Sequence, residues 1–260
     1  MKLMRVGQLG KERPAVAVDE NNYIDISDLV PDFDADFFQN EKWFDIKAEV
    51  ANRIAAKDFL QVAGNRIGAP FVRPHQIICI GLNYADHAAE AGMPIPAEPI
   101  VFTKAISCIQ GPNDEVMLPK GSKKTDWEVE LGIVIGTRTR YVSQKEALNH
   151  VAGYCVINDV SEREFQLERG GQWDKGKSCE TFNPLGPWIV TTDEVTDPQK
   201  LALWLKVNGN VEQSSNTSDM IFEVAHLVWY VSQFMVLDPG DMINTGTPQG
   251  VGSGKKPPRF

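Results

Sequence analysis

Apolar residues along this chain recur mostly at short, strand-like intervals, broken by glycine, proline and small polar clusters. Residues 1–30 predict short strands in hairpins, interrupted by Gly10, the Asp19–Asn22 cluster and Asp25. Over 34–63 the spacing changes. Phe37, Phe38, Trp43, Phe44, Ile46, Val50, Ile54 and Leu60 recur at three-to-four-residue intervals, which predicts helix. Pro70 and Pro74 then punctuate the chain. They place a boundary near residue 70, between a small N-terminal α/β domain (1–70) and a main domain (71–260).

In the main domain, QIICIGLNY (76–84) reads as a buried strand and ADHAAEAG (85–92) as a short helix closed by glycine. VFTKAISCI (101–109), EVMLP (115–119), DWEVELGIVIG (126–136), YCVINDV (154–160) and PWIVT (187–191) read as strands. Ser143 with Glu146 predicts a capped helix through about residue 152. Residues 161–182, polar and glycine-rich, predict a helical turn and a loop. Asn208–Gly209 marks a hairpin between LALWLKV and VEQSS. Ser218 is the expected cap of an amphipathic helix through about Phe234, with Ile221, Val224, Leu227, Val228 and Val231 on its apolar face. Asp238–Asp241 turns the chain into the strand MINTG. The pattern is α+β, mostly β, without the strict strand–helix alternation of a doubly wound fold.

A chain of 260 residues can bury a full core. Its net charge of −9 argues against a general nucleic-acid surface and is compatible with binding a cation. No signal-like or membrane-length apolar run appears, so a cytoplasmic protein without a membrane partner is expected. Cys79, Cys108, Cys155 and Cys179 are scattered and form no CxxC pair. That excludes a zinc or dithiol motif and fits free thiols in a reducing compartment.

The candidate chemistry begins with Glu128 and Glu130. Two apart in a predicted strand, they share a face, and their repulsion must be offset by a metal, a basic partner or water. Asp159 ends the strand YCVIND, where a third ligand or a helix cap would stand. A solvated edge-strand face remains the alternative. His87 and Glu90, three apart on the short helix, make either an exposed helical pair or a general base with its orienting carboxylate. His75 and His226 read as structural. Residues 171–178, GQWDKGKS, match a phosphate-loop pattern, but polar residues precede it and Pro184 interrupts the stretch after it, where that motif needs a helix. Trp173 and Asp174 would crowd or repel phosphate, so nucleotide binding is rejected. Lys177 is then either a surface lysine or a contact for an anionic substrate. The Gly246–Gly252 loop, with Thr247, is either a tight connection or a carboxylate cradle.

GLNYADHAAE (81–90), EPIVFTKAISCI (98–109), GPND (111–114), DWEVELGIVIG, GYCVINDVSEREFQ (153–166), GKSCETFNPLGPWIV (176–190) and PGDMINTGTPQGVG (239–252) occur in one order. Together they make residues 70–260 resemble the fumarylacetoacetate hydrolase family. The resemblance implies a mixed β-roll or sandwich catalytic domain, usually as a homodimer and in some cases a tetramer. It implies Glu128, Glu130 and Asp159 as ligands of Mg2+ or Mn2+, with Ca2+ as a further candidate. It implies His87 and Glu90 as a water-activating dyad on a lid, with Lys177 and Gln166 completing the catalytic set. Arg163 and Thr247 would contact the substrate, with Gly246, Asn83 and Tyr84 beside them. SEREFQLERGGQWDKGKS resembles the bacterial subgroup of 2,4-diketo-3-deoxy-L-fuconate and L-rhamnonate hydrolases, whose members are often labelled ureidoglycolate lyases. Family chains continue past KPPRF with another turn and closing strands, which this sequence, ending at Phe260, does not include.

What the resemblance implies is metal-dependent hydrolysis of a C–C bond in an acylpyruvate-type 2,4-diketo acid, with a 2,4-diketo-3-deoxy sugar acid as the expected substrate, giving pyruvate and a hydroxy acid. Isomerisation, hydration or decarboxylation of a keto acid, or ureidoglycolate cleavage, could use the same metal-enolate site. His87 with Glu90 favours hydrolysis, because enolate-only reactions need no activated water.

Overall fold

The computed structural model describes residues 1–260. The N-terminal part supplies β1 (Lys2–Val6), β2 (Arg13–Ala17), β3 (Asn22–Asp25), α1 (Ala35–Gln39), α2 (Lys42–Ala56) and β4 (Leu60–Gln61). Then come β5 (Ile77–Gly81), α3 (Ala85–Glu90), β6 (Ile100–Lys104), β7 (Ile109–Gln110), β8 (Thr125–Asp126) and β9 (Val129–Ile135). The remainder holds β10 (Val151–Asn158), β11 (Ser161–Glu162), α4 (Asp174–Lys177), β12 (Asn183–Thr191), β13 (Ala202–Val207), β14 (Asn210–Asn216), α5 (Val224–Ser232) and β15 (Met242–Asn244). Ten of these strands run in the order β4-β3-β2-β1-β12-β10-β9-β15-β5-β6, and β7 pairs beside β12 in the same sheet. Most neighbours are antiparallel, and β5 with β15 is parallel. The mostly-β, mixed fold class expected from the pattern is the one observed. No helix is long and apolar enough to cross a membrane.

β1 joins the sheet through β12, with Leu3 opposite Ile189. One apolar cluster accordingly takes residues from both sides of residue 70, among them Leu3, Phe33, Trp43, Ile77 and Ile189. A second packs α5, through Val224, Leu227, Val228 and Val231, on the face of β9 that carries Leu131 and Ile133.

Several local expectations give way to sheet pairing. The helix expected over 34–63 breaks into α1, capped by Asp34, and α2, because Glu41 turns the chain at a φ of 49°. Lys57 ends α2 in the same left-handed region, and Leu60–Gln61 pairs with β3. No helix extends to residue 152. Ala147–His150 forms one tight turn, since Val151 is required opposite Ile135. EVMLP forms no strand, and the Met117 N–H donates instead to the Thr181 hydroxyl at 2.7 Å. The expected 126–136 strand divides at Trp127–Glu128. The expected 218–234 helix begins only at Val224, after Glu223, which makes no side-chain cap, and Asn216 caps a separate turn over Thr217–Asp219. Asn208 and Gly209 both take positive φ, as the expected two-residue hairpin requires.

Asp241 locks the central strands. Its buried carboxylate accepts from the N–H groups of His75, Gln76 and Asp238 at 2.8–3.0 Å and from Gln76 Nε2 at 2.9 Å. This fixes where β5 begins against β15. We expect Asp241→Ala, which removes the acceptor of four donors, to lower stability by about 3 kcal/mol. A urea titration checks it: the midpoint should fall at unchanged m-value.

Candidate metal centre and active site

Strand direction brings the candidate residues to one edge of the sheet. β15 runs antiparallel to β9 and β9 antiparallel to β10, so the C-ends of β10 and β15 meet the start of β9. The parallel pairing of β5 with β15 delivers the C-end of β5, and α3 after it, to the same edge. Register then places Glu130 opposite Ile157, two residues before Asp159. The Asp159 N–H donates to the Glu128 carbonyl at 2.9 Å, tying the third carboxylate to the first.

Glu128, Glu130 and Asp159 are all buried, and a carboxylate oxygen of each lies within 4.8 Å of the others. Lys177 Nζ bridges Glu128 Oε2 at 2.7 Å and Asp159 Oδ2 at 2.8 Å. Lys104, equally buried, pairs with the other Asp159 oxygen and donates to the Val160 carbonyl at 3.2 Å. Arg163 Nη1 meets Glu128 Oε1 at 2.6 Å, while its Nε meets Asp126 Oδ2 at 2.8 Å. Glu130 has no cation of its own and takes only the Gly246 N–H, at 2.9 Å.

The charge states reflect these partners. Burial pushes Glu128 up, but the charges of Lys177 and Arg163 outweigh it and hold the carboxyl at about 2. Burial pushes Glu130 well above the ordinary glutamate range, and Asp159 and Glu128 push it further. Burial opposes the charge on Lys177, yet Asp159 and Glu128 raise its pKa overall. Four buried carboxylates (Asp126, Glu128, Glu130, Asp159) face three buried cations (Lys104, Lys177, Arg163). An all-oxygen donor set with uncompensated negative charge fits a hard divalent cation.

His87 Nδ1 lies 3.2 Å from Glu90 Oε2, and both Glu90 oxygens accept the Gly250 N–H at 3.0 and 3.1 Å. Burial pushes Glu90 up, but His87 and the Gly250 N–H bring it below its ordinary value. With Nδ1 facing a carboxylate, Nε2 is the free acceptor. A cavity of about 290 Å³ is lined by His87, Glu90, Glu128, Arg163, Gln166, Lys177 and Thr247 together with apolar side chains. Gln166 Oε1 accepts from Arg163 Nη1 at 3.1 Å. Arg163 Nη2 is buried with no partner.

Other expected contacts fall elsewhere. Asn83 and Tyr84 do not line the cavity. The Asn83 amide donates to the Phe222 and Thr245 carbonyls and accepts from the Phe222 N–H, which anchors the chain before α3. Tyr84 lies in the core, bridged through its backbone to Met220. The Gly246 N–H serves Glu130 rather than a ligand. Thr247 reaches the cavity, but its hydroxyl donates to the Val129 carbonyl and accepts from Gln213. Lys104 and Asp126 went unassigned in sequence. Lys104 follows Thr103 in an alternating strand, where a lysine ordinarily faces water, and only the fold shows it turned inward.

Residues 76–260 match the family described as fumarylacetoacetate hydrolase C-terminal. A Burkholderia ambifaria relative, provisionally named a hydrolase, is 56% identical over 259 residues, covering 99% of this chain and 90% of the relative. The fumarylacetoacetate hydrolase of Exiguobacterium antarcticum superposes with a TM-score of 0.85 at 36% identity, covering 100% of this chain and 91% of its own. Maleylpyruvate hydrolase from Sphingobium sp. SYK-6, in complex with manganese(II) and pyruvate, gives 0.79 at 28%, covering 97% and 90%. Other solved neighbours are named isomerases. The chain belongs to the fumarylacetoacetate hydrolase family, whose members act on keto acids and bind divalent metal.

A metal held by Glu130 would have to displace any proton there, because only an ionised carboxylate is a ligand. Below the raised pKa of that group the proton competes, so the affinity for Mn2+ should climb as pH rises through it. Calorimetric titration in buffers of different ionisation enthalpy should show proton release on binding. Glu130→Gln should abolish that release and weaken binding by about 100-fold or more.

Proposed function

We propose that this fumarylacetoacetate hydrolase family member cleaves the C3–C4 bond of an acylpyruvate-type 2,4-diketo acid with water, giving pyruvate and a carboxylic acid. One observation carries the reading. A single cavity is lined both by Glu128, Lys177 and Arg163 of the carboxylate cluster and by the His87–Glu90 pair. Enolate chemistry alone would require the first group only.

Glu128, Glu130 and Asp159 would hold the divalent cation, Mg2+ or Mn2+, which supplies Lewis-acid stabilisation of an enolate. The manganese and pyruvate in the maleylpyruvate hydrolase neighbour support this assignment. His87 Nε2 takes a proton from water, and Glu90, held ionised, orients the ring and compensates the imidazolium. The hydroxide adds to the C4 carbonyl. Lys177 and the Gln166 amide meet the oxyanion that forms there. The unpartnered Arg163 Nη2 offers a donor to the acid end of the substrate. As the C3–C4 bond breaks, its electron pair passes into the pyruvate enolate, and His87 returns a proton to C3.

The test is a panel of 2,4-diketo acids with Mg2+ or Mn2+, followed by pyruvate release and by mass spectrometry in 18O-water. Hydrolysis places one 18O in the acid from the acyl side. A product isomeric with the substrate, unlabelled and without pyruvate, would overturn the proposal in favour of isomerisation. His87→Ala should lower kcat by about 10²–10⁴-fold, with Mn2+ affinity unchanged by calorimetry.

A further inference from the structure

The apolar side of the cavity has no part in the chemistry above. Phe102 on β6 and Trp173, just before α4, meet edge to face with ring centroids 5.4 Å apart. Both line the cavity, with Leu167 and Met93 completing the apolar wall. Leu167 is 56% exposed and Met93 44% exposed, so two large apolar side chains stand open to water beside the pocket. Gly81, at the end of β5, is what admits the indole. A Cβ at this position would lie 2.5 Å from the Trp173 ring, and the Gly81 backbone is otherwise one that any residue can adopt. The Gly176 and Lys177 N–H groups both donate to the Trp173 carbonyl, so indole and amine sit on the same helical turn. Lys177 Nζ lies 5.3 Å from the centre of the Phe102 ring.

The lining groups left free, Arg163 Nη2, His87 Nε2 and the Gln166 amide, are those assigned above to the reacting end of the substrate, and the charged groups beside them have other partners. Arg163 and Lys177 are tied to the carboxylate cluster, Glu90 to His87 and Gly250, and Thr247 to Val129 and Gln213. A chain of hydroxyls laid against Phe102, Trp173, Leu167 and Met93 would give up water partners to side chains that return no hydrogen bond. An alkyl or aryl group there removes exposed apolar surface instead.

We propose that the Phe102–Trp173 wall, admitted by Gly81, selects substrates whose acyl group is apolar, an alkyl- or arylpyruvate-type 2,4-diketo acid, over those whose acyl group is polyhydroxylated. This rests on the hydrolytic reading of the same site.

The experiment compares kcat/KM of the Mn2+-loaded protein for 2,4-diketo acids bearing acetyl, pentanoyl, phenyl and polyhydroxyalkyl acyl groups. Pentanoyl or phenyl should exceed polyhydroxyalkyl by at least about tenfold. Gly81→Ala, which pushes the indole aside and leaves every charged group in place, should cut kcat/KM for pentanoyl and phenyl by about tenfold. The loss should fall mainly in KM, with acetyl nearly unaffected. Trp173→Ala should do the same, which guards against a folding defect in either variant. Equal or better turnover of the polyhydroxylated substrate, or equal losses across all substrates in both variants, overturns the proposed selectivity. Absence of pyruvate from every substrate defeats the hydrolytic reading itself, a distinct outcome.

Discussion

Burying carboxylates close together is among the costlier arrangements a protein can make, and the site depends on how that cost is met. Charges a few ångströms apart in a desolvated pocket interact far more strongly than on the surface. Here Asp126, Glu128, Glu130 and Asp159 are opposed by Lys104, Lys177 and Arg163, one cation too few. The deficit settles on Glu130, which has no cationic partner and whose carboxyl is accordingly pushed toward the protonated form. A proton there brings the cluster to neutrality. A divalent cation in its place would leave the cluster with one positive charge, the complement of a carboxylate head group. The same count therefore accounts for an attraction to a metal and to an organic acid.

Holding such a cluster needs backbone that does not yield. Each carboxylate is set by strand register or by a backbone contact: Glu130 by its place opposite Ile157, Asp159 by the Glu128 carbonyl, Glu90 by Gly250. Gly246 sits at a φ of 95°, and a Cβ there would strike Asn83 at 2.8 Å and the Ile80 carbonyl at 3.0 Å. The bare glycine lets the end of β15 lie against the end of β5 while its N–H serves Glu130. Asn83, whose contacts are all to backbone, is part of this framework. Residues near a site in sequence thus divide into those that face the cavity and those that fix the strands delivering it.

That division marks what was legible in the sequence. Glu128 and Glu130 could be paired because strand periodicity is two, and His87 with Glu90 because a helical turn brings three-apart residues together. Asp159 was recognisable as a strand end. Long-range partners were not. Lys104 reads as a surface lysine until the fold turns it onto Asp159, fifty-five residues away in sequence. Asn83 and Tyr84 stand beside His87 and Glu90 in the chain, yet their side chains point into the framework. Helix boundaries failed where pairing overruled local preference, as at Val151, which Ile135 draws into β10. The split between α1 and α2 depends on a left-handed Glu41, a residue type with no special liking for that conformation.

The segment 161–178 shows why one stretch of sequence could suggest opposite things. Its GxxxxGKS letters look like a phosphate loop, and Trp173 looks like an obstruction. In the fold the lysine points at carboxylates rather than at phosphate, and the tryptophan is a wall rather than a block. Gly176 belongs to the same logic: a Cβ would meet the Glu162 carbonyl at 2.4 Å and Gln166 at 2.6 Å, so its absence lets α4 press onto the turn that carries Gln166. Lys177 and Gln166 are thereby positioned by the segment that also contributes Trp173 and Leu167 to the cavity wall. Selectivity and charge stabilisation share one short piece of backbone. A change that reshapes the wall by moving this backbone must also move Lys177 off its carboxylates, whereas a change made across the cavity, at Gly81 on β5, need not.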